Sequence, residues 1–258
     1  MRQIGIDEVH DILFDILCDI DDFCRANGLR WAMGYGTVLG AVRYGDFIPW
    51  DDDADIVMPR EDFDRFVSTY KGKYECILNT RREDVFYVAG VAKVHDPRTD
   101  KFVASRSKYI CHYGVSVDIF ALDPVPDDPA EYSVFMKKAI HSHRRLLYCS
   151  RKTGSPLLMV SSHLHSLDWW LSKCDSLAHR YKAEDCSRIG IILGSRTMHN
   201  VHPKDFFEHL KPLRLRDRDF PAPVDTAAYL TQMYGPDYMT PPPVSERGGH
   251  GGEVWMLE

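Results

Sequence analysis

At 258 residues, 44% hydrophobic and 27% charged, the chain can bury a sizeable core as one domain or as a domain with a helical extension. A formal net charge of -6 without basic-aromatic repeats argues against a nucleic-acid scaffold. Seven scattered cysteines with no CxxC pair indicate neither a disulfide framework nor a zinc knuckle, and suit reduced thiols in a cytoplasm.

Ile6, Val9, Leu13, Ile16, Leu17, Ile20 and Cys24 recur at three- and four-residue steps, which predicts an amphipathic first helix stopping near Asn27-Gly28. Acids run through this stretch, so it is read as neither a signal peptide nor a transmembrane span. The apolar run from Leu29 to Met33 leads into the turn Gly34-Tyr35-Gly36-Thr37, and Val38 to Val42 reads as a short helix. Asp53 to Met58 reads as a strand, and Pro59 opens a helix over Glu61 to Tyr70. Strands are expected at Tyr74 to Asn79, Val85 to Val94 and Phe102 to Ser105, before an apolar strand around Asp118.

After Pro124-Val125-Pro126-Asp127-Asp128-Pro129 the pattern changes, with helices expected over Glu131 to Arg151 and Leu164 to Tyr181. Ile189 to Leu193 reads as a returning strand and His202 to Phe207 as a short helix. These elements describe an α+β fold in one domain: a mixed β-sheet with flanking helices over residues 1–125, then a mainly helical half over 126–258. No internal repeat or low-complexity tract interrupts it.

The chemistry concentrates between Gly34 and Met58. Side chains alternate along a strand, so Asp53 and Asp55 share a face while Ala54 and Ile56 turn to the core. Two like charges there call for a cation; a hard ion such as Mg²⁺ removes the repulsion and keeps coordination positions for phosphate oxygens. Backbone amides around Gly36 and Thr37 are placed to cradle phosphate. A merely solvated Asp-rich loop would need neither this glycine turn nor the Phe47-Ile48-Pro49-Trp50 brace. Asp118 is a lone acid in an apolar strand, costly to bury unless it joins the same cluster; the plainer alternative is an Asp bonded to a loop at a strand end.

Several other residues have simpler explanations. His141 and His143, like His163 and His165, stand two apart, so on a helix they face different ways and make poor metal pairs. The cations Lys211, Arg214, Arg216 and Arg218 alternate with Asp217 and Asp219, which fits a solvated face as well as an anion-attracting one. Lys93, at the end of an expected strand, is better placed to neutralise a phosphate as a point charge.

Gly36-Thr37, IPWDDDADI and VDIFALDPVP together resemble the LicD family of phosphocholine and related phosphotransferases, which share a nucleotidyltransferase-like fold and are distantly similar to fukutin-type enzymes. The likeness extends over nearly the whole chain, including Arg43, the Pro-Trp-Asp brace, Lys93 in VAKVHDPRTD, YLTQMYGPDYMTPPP and a later His250. PLRLRDRDFPAPV departs from the family form, where a glycine often precedes the aromatic and proline pair. The resemblance implies Asp53, Asp55 and Asp118 as metal and catalytic residues, Asp51 as a further ligand or supporting group, and Gly36, Thr37, Arg43 and Lys93 toward the donor phosphates.

It further implies Mg²⁺ (or Mn²⁺), a CDP-linked donor such as CDP-choline, a glycan or glycolipid acceptor and release of CMP. For a choline-bearing donor, Trp50, Tyr87, Trp169 and Trp170 are candidate rings for the quaternary ammonium. The expected setting is cytoplasmic, with peripheral contact at the inner membrane face through a lipid-linked acceptor. Two other readings stay open: a nucleotidyltransferase acting on a small sugar or drug, and a non-catalytic nucleotide-binding module.

Overall fold

A computed structural model describes residues 1–81, 86–102, 113–150, 160, 162, 164–194, 200–248 and 253–257. The fold is α+β, as the sequence predicts. Val103 to Ser105 of one expected strand, Arg151 at one expected helix end, His163 and His250 lie outside the described residues.

The first helix, α1 (Ile6–Asn27), buries the predicted stripe and ends at Gly28, whose φ of 61° closes the helix in the left-handed conformation. It leads to β2 (Ala32–Met33), α2 (Tyr35–Tyr44), β3 (Ala54–Pro59) and α3 (Arg60–Thr69). Next come β4 (Glu75–Ile77), β5 (Thr80–Arg81), β6 (Phe86–Tyr87), β7 (Ala92–His95), β8 (Thr99–Phe102) and β9 (Ser116–Val125). Val85 lies outside the described residues, and the rest of that expected strand, to Val94, is two short ones, with Gly90 between them at a φ of 73° that strand pairing does not accommodate.

The second half opens with α4 (Pro129–Ser150) and α5 (Leu167–Ala178), which pack on each other around Phe135, Met136, Leu146, Trp170 and Leu177. It then returns to sheet structure: β10 (Arg188–Gly190), β11 (Val201–Pro203), a short α6 (Asp205–Glu208), the hairpin β12 (Leu210–Leu215) and β13 (Arg218–Pro223), α7 (Thr226–Tyr234) and β14 (Glu253–Met256). His202 lies in β11, because Ile189 and His202 pair across the ladder, and the short helix begins three residues later.

The central sheet runs β11-β10-β9-β3-β2, with β7 also on β9 and β4 on β7. Strand β9 organises it: β3 lies parallel along one edge, while β7 and β10 pair antiparallel with different lengths of the strand. Burial on both sides explains why β9 reads as a nearly continuous apolar run. Helices α1 and α3 pack on β9, and α2 packs on β3. A small sheet, β1 (Arg2–Gln3)-β14-β8, joins the two ends of the chain.

The basic run falls on the β12–β13 hairpin and serves to fasten it. Arg216 binds Asp46 and Asp11, each at 2.7 Å, and Arg218 reaches Asp21 at 2.6 Å and Asp22 at 2.5 Å. Arg214 pairs with Asp219 at 3.3 Å. Among the described residues, no helix is long and apolar enough to cross a membrane.

Candidate active site

Register brings the predicted acids together. Across the parallel β3–β9 ladder Asp55 stands opposite Asp118, and across the antiparallel β7–β9 ladder Lys93 stands opposite Asp118. Adjacent strands lie about 4.8 Å apart, so the three side chains form a row across the middle of the sheet. Asp55 and Asp118 are half-buried, whereas Ala54, Ile56, Val117 and Ile119 on either side of them are buried. The expected alternation places the row on a face separate from the core.

Electrostatics within the row are unbalanced. Burial, then Asp53, Asp118 and Asp51 in that order, push the Asp55 carboxyl well above the usual carboxylate range, with Lys93 pulling the other way. Lys93 is buried and its ammonium contacts Asp118 Oδ1. Burial alone would lower its pKa, but Asp118, followed by Tyr87 and Tyr113, outweighs that and raises it, so the lysine stays charged. The two rings lie 5.7 and 5.0 Å from the ammonium.

The glycine turn is tied to the same place. Gly34 accepts from Thr37 and Val38 at 3.0 and 3.2 Å while its own N–H donates to the Asp55 carbonyl at 3.0 Å. Thr37 is buried, and its hydroxyl accepts from the Asp55 N–H at 2.8 Å. Helix α2 starts at Tyr35, so Gly36 and Thr37 lie in its first turn, earlier than the expected helix at Val38. Of the amides expected to cradle phosphate, those of Thr37 and Val38 bond within the turn. A Cβ on Gly36 would come within 3.1 Å of Asp51 Oδ2, so glycine leaves room for that carboxylate as well.

Asp51 is held through its backbone, its N–H donating to Ile48 at 2.9 Å and its carbonyl accepting from His10 Nε2 at 2.8 Å. Asp52 is buried against Lys101, with Nζ 3.0 Å from its carboxylate. The Arg43 guanidinium binds the carbonyls of Tyr238 and of Thr240, the latter at 3.3 Å, and so anchors the C-terminal segment. Trp50 packs 6.2 Å from Tyr44, and its ring carries the Arg247 guanidinium at 4.6 Å.

The rings considered for an ammonium cage do not form one group. Trp50, Tyr87 and Trp170 belong to three separate apolar clusters, and Trp169 is largely exposed.

Three tyrosines that sequence reasoning passed over surround Asp55. Tyr35, Tyr229 and Tyr234 all have raised pKa values, first through burial, and Asp55 contributes to each. The fully buried Tyr229 accepts the Tyr35 N–H at 2.9 Å, which holds Tyr35 at a φ of 45°, an uncommon conformation for a residue with a side chain. Tyr229 and Tyr234 lie some 190 residues downstream of the turn on α7, and no local pattern marks them.

The donor chemistry fits a hard divalent cation: oxygen donors only, with repulsion at Asp55 that a cation would relieve. No group of three His, Cys, Asp or Glu side chains is assembled as a metal cage among the described residues. Mg²⁺ needs none, since it is commonly bound by one or two carboxylates together with phosphate and water. Asp53 and Asp55 would supply those carboxylates, while Asp118 is engaged by Lys93.

Acids facing each other across a parallel ladder, a glycine turn tied to them and a buried lysine form one connected constellation. The chain belongs to the LicD/FKTN/FKRP nucleotidyltransferase-domain family, whose model matches residues 28–166. It is similar to the lipopolysaccharide cholinephosphotransferase LicD of Haemophilus influenzae, with 29% identity over 97% of each chain.

Proposed function

We propose that this protein transfers a phosphocholine-like group from a CDP-linked donor to a hydroxyl of a cell-surface glycan precursor, releasing CMP. The observation that carries the reading is the Asp55-Asp118-Lys93 row, in which excess negative charge and one buried ammonium share a face of the sheet. Its support from relatives is the family membership together with the cholinephosphotransferase named above.

Asp53 and Asp55 would hold Mg²⁺, or Mn²⁺, which would supply positive charge to offset that of the pyrophosphate and the departing nucleotide. Lys93 moves from Asp118 to a donor phosphate oxygen as a point charge. Asp118, thus released, orients the acceptor hydroxyl and takes its proton. The hydroxyl oxygen forms a bond to the distal phosphorus as the bond to the CMP oxygen breaks. Arg43 and Trp50 act on the donor side by holding the C-terminal segment and Arg247 against it. The reaction takes place in the cytoplasm, with the acceptor presented at the inner membrane face.

The second reading is nucleotidyl transfer, favoured by the nucleotidyltransferase description of the matched domain. Incubation with Mg²⁺, CDP-choline or CTP, and candidate acceptors distinguishes the two. CMP release that depends on CDP-choline and an acceptor supports phosphocholine transfer; pyrophosphate release from CTP with no CMP from CDP-choline overturns it.

A further inference from the structure

Pro59 at the end of β3 and Leu122 and Pro124 of β9 help to wall a cavity of about 350 Å³, with Ala178, Tyr181 and Phe207 from the second half. Its size falls within the range of small-ligand sites, about 300 to 1,000 Å³. Pro59 lies four residue steps along β3 from Asp55, a run of about 13 Å, so the cavity is distinct from the acidic row.

Each cation of the wall already has a carboxylate partner. Arg30 meets Asp62 at 2.7 Å, Arg60 meets Asp123 at 2.6 Å, His179 meets Asp64 at 2.9 Å, Lys204 meets Glu208 at 3.0 Å and Lys182 meets Glu184 at 4.0 Å. An anionic ligand would have to displace one of these carboxylates. A neutral ligand would instead find donors and acceptors side by side, together with the rings of Tyr181 and Phe207.

A hydroxyl both donates and accepts, so hydroxyl groups suit a wall on which paired cations and carboxylates, such as Lys204 and Glu208, stand side by side.

We infer that this cavity binds a neutral, hydroxyl-rich ring: a saccharide unit held apart from the acidic row. On the transfer reading above, on which this role rests, that unit is a distal sugar of the acceptor glycan.

Saturation-transfer NMR on the full chain, without donor or metal, tests the inference with lactose and maltotriose as neutral probes and inorganic phosphate as the anionic one. Both sugars are expected to bind. Tyr181→Ala, which removes a half-buried ring, and Ala178→Trp, which fills the cavity, should each weaken binding about tenfold, while Asp55→Asn leaves it unchanged. Circular dichroism checks that each variant is folded, and Tyr181→Ala supplies the test if Ala178→Trp is not.

Failure of both sugars to bind, sugar binding unaffected by loss of the Tyr181 ring, or displacement of sugar by phosphate overturns the inference; the first outcome leaves the cavity to water. CMP release provides the separation from the transfer reading. Normal CMP release without sugar binding defeats this inference alone, whereas sugar binding without CMP release defeats only the transfer reading.

Discussion

The two ends of the β3–β9 ladder use the same residue type in opposite ways. Near the start of the ladder Asp55 faces Asp118 and lies close to Asp53 and Asp51, so its negative charge is not fully matched. Beyond the far end, Asp123 is completely buried yet paired with Arg60 at 2.6 Å, and Arg60 also reaches Asp64 at 3.2 Å. Burial raises the Asp123 carboxyl above its ordinary range even so, with Arg60 opposing. One end stores repulsion that a cationic ligand can relieve; the other closes its own charge and holds α3 to the sheet. Buried charge by itself therefore does not mark a reaction centre; the proposed one rests on buried charge that lacks a sufficient counterion.

Asp55→Asn is expected to have the largest effect and sharpens the comparison in two directions. CMP release should fall on the order of 10³-fold or more, while stability at pH 7 rises as repulsion is removed. The native carboxyl holds its proton more tightly than in the unfolded chain. Stability therefore declines as pH climbs from the ordinary carboxylate range through the raised value. Thermal melts of both proteins against pH check this, and an unchanged decline in the variant would count against the repulsive row.

Arg60→Ala tests the opposite end. Stranding the buried Asp123 should cost about 3–5 kcal/mol by urea denaturation, with activity per folded molecule on a short acceptor retained. Equal losses of stability and specific activity would break the distinction between the two ends.

Tyr229→Phe should have a smaller effect. It leaves the Tyr35 N–H without its acceptor and costs about 1–2 kcal/mol, with transfer reduced because the turn behind Asp55 loosens. Amide exchange at Tyr35 and Thr37, faster in the variant, is the direct measurement.

The smallest effect is expected at His179, partly exposed and 2.9 Å from Asp64. Burial opposes its charged form, but the Asp64 hydrogen bond and the Asp175 carbonyl raise its pKa overall. Its contribution is complete below the ordinary histidine value of about 6.5 and is lost as pH rises through the raised one. Melts of wild type and His179→Ala should therefore differ slightly at pH 5 and converge at pH 9.

Much of the fold was legible because periodicity is local. The α1 stripe, the helix after Pro59 and the alternation around Asp53 and Asp55 all follow from residues within one or two turns of each other. Asp118 stood out because an acid in an apolar strand needs a reason, and its register opposite Asp55 supplies one. Ile189 to Leu193 was read as a strand and holds β10, whereas β11 and β14 were harder to see, being short and with β14 paired to strands far away in sequence. Arg216 and Arg218 looked like part of a solvated or anion-attracting run, since their partners on and beside α1 are visible only after folding.

The sequence by itself determined the constellation on which the proposed chemistry rests: carboxylates two apart at the start of a strand, a glycine turn before them and an acid in a distant apolar strand. Charge and side-chain alternation act over a few residues, and those are written in order along the chain. Tertiary structure alone decided that Asp118 faces both Asp55 and Lys93, that Tyr229 secures the turn, and that the far end of the same strands walls a cavity. Each of these depends on ladder register or on packing between distant segments, neither of which has a local signature.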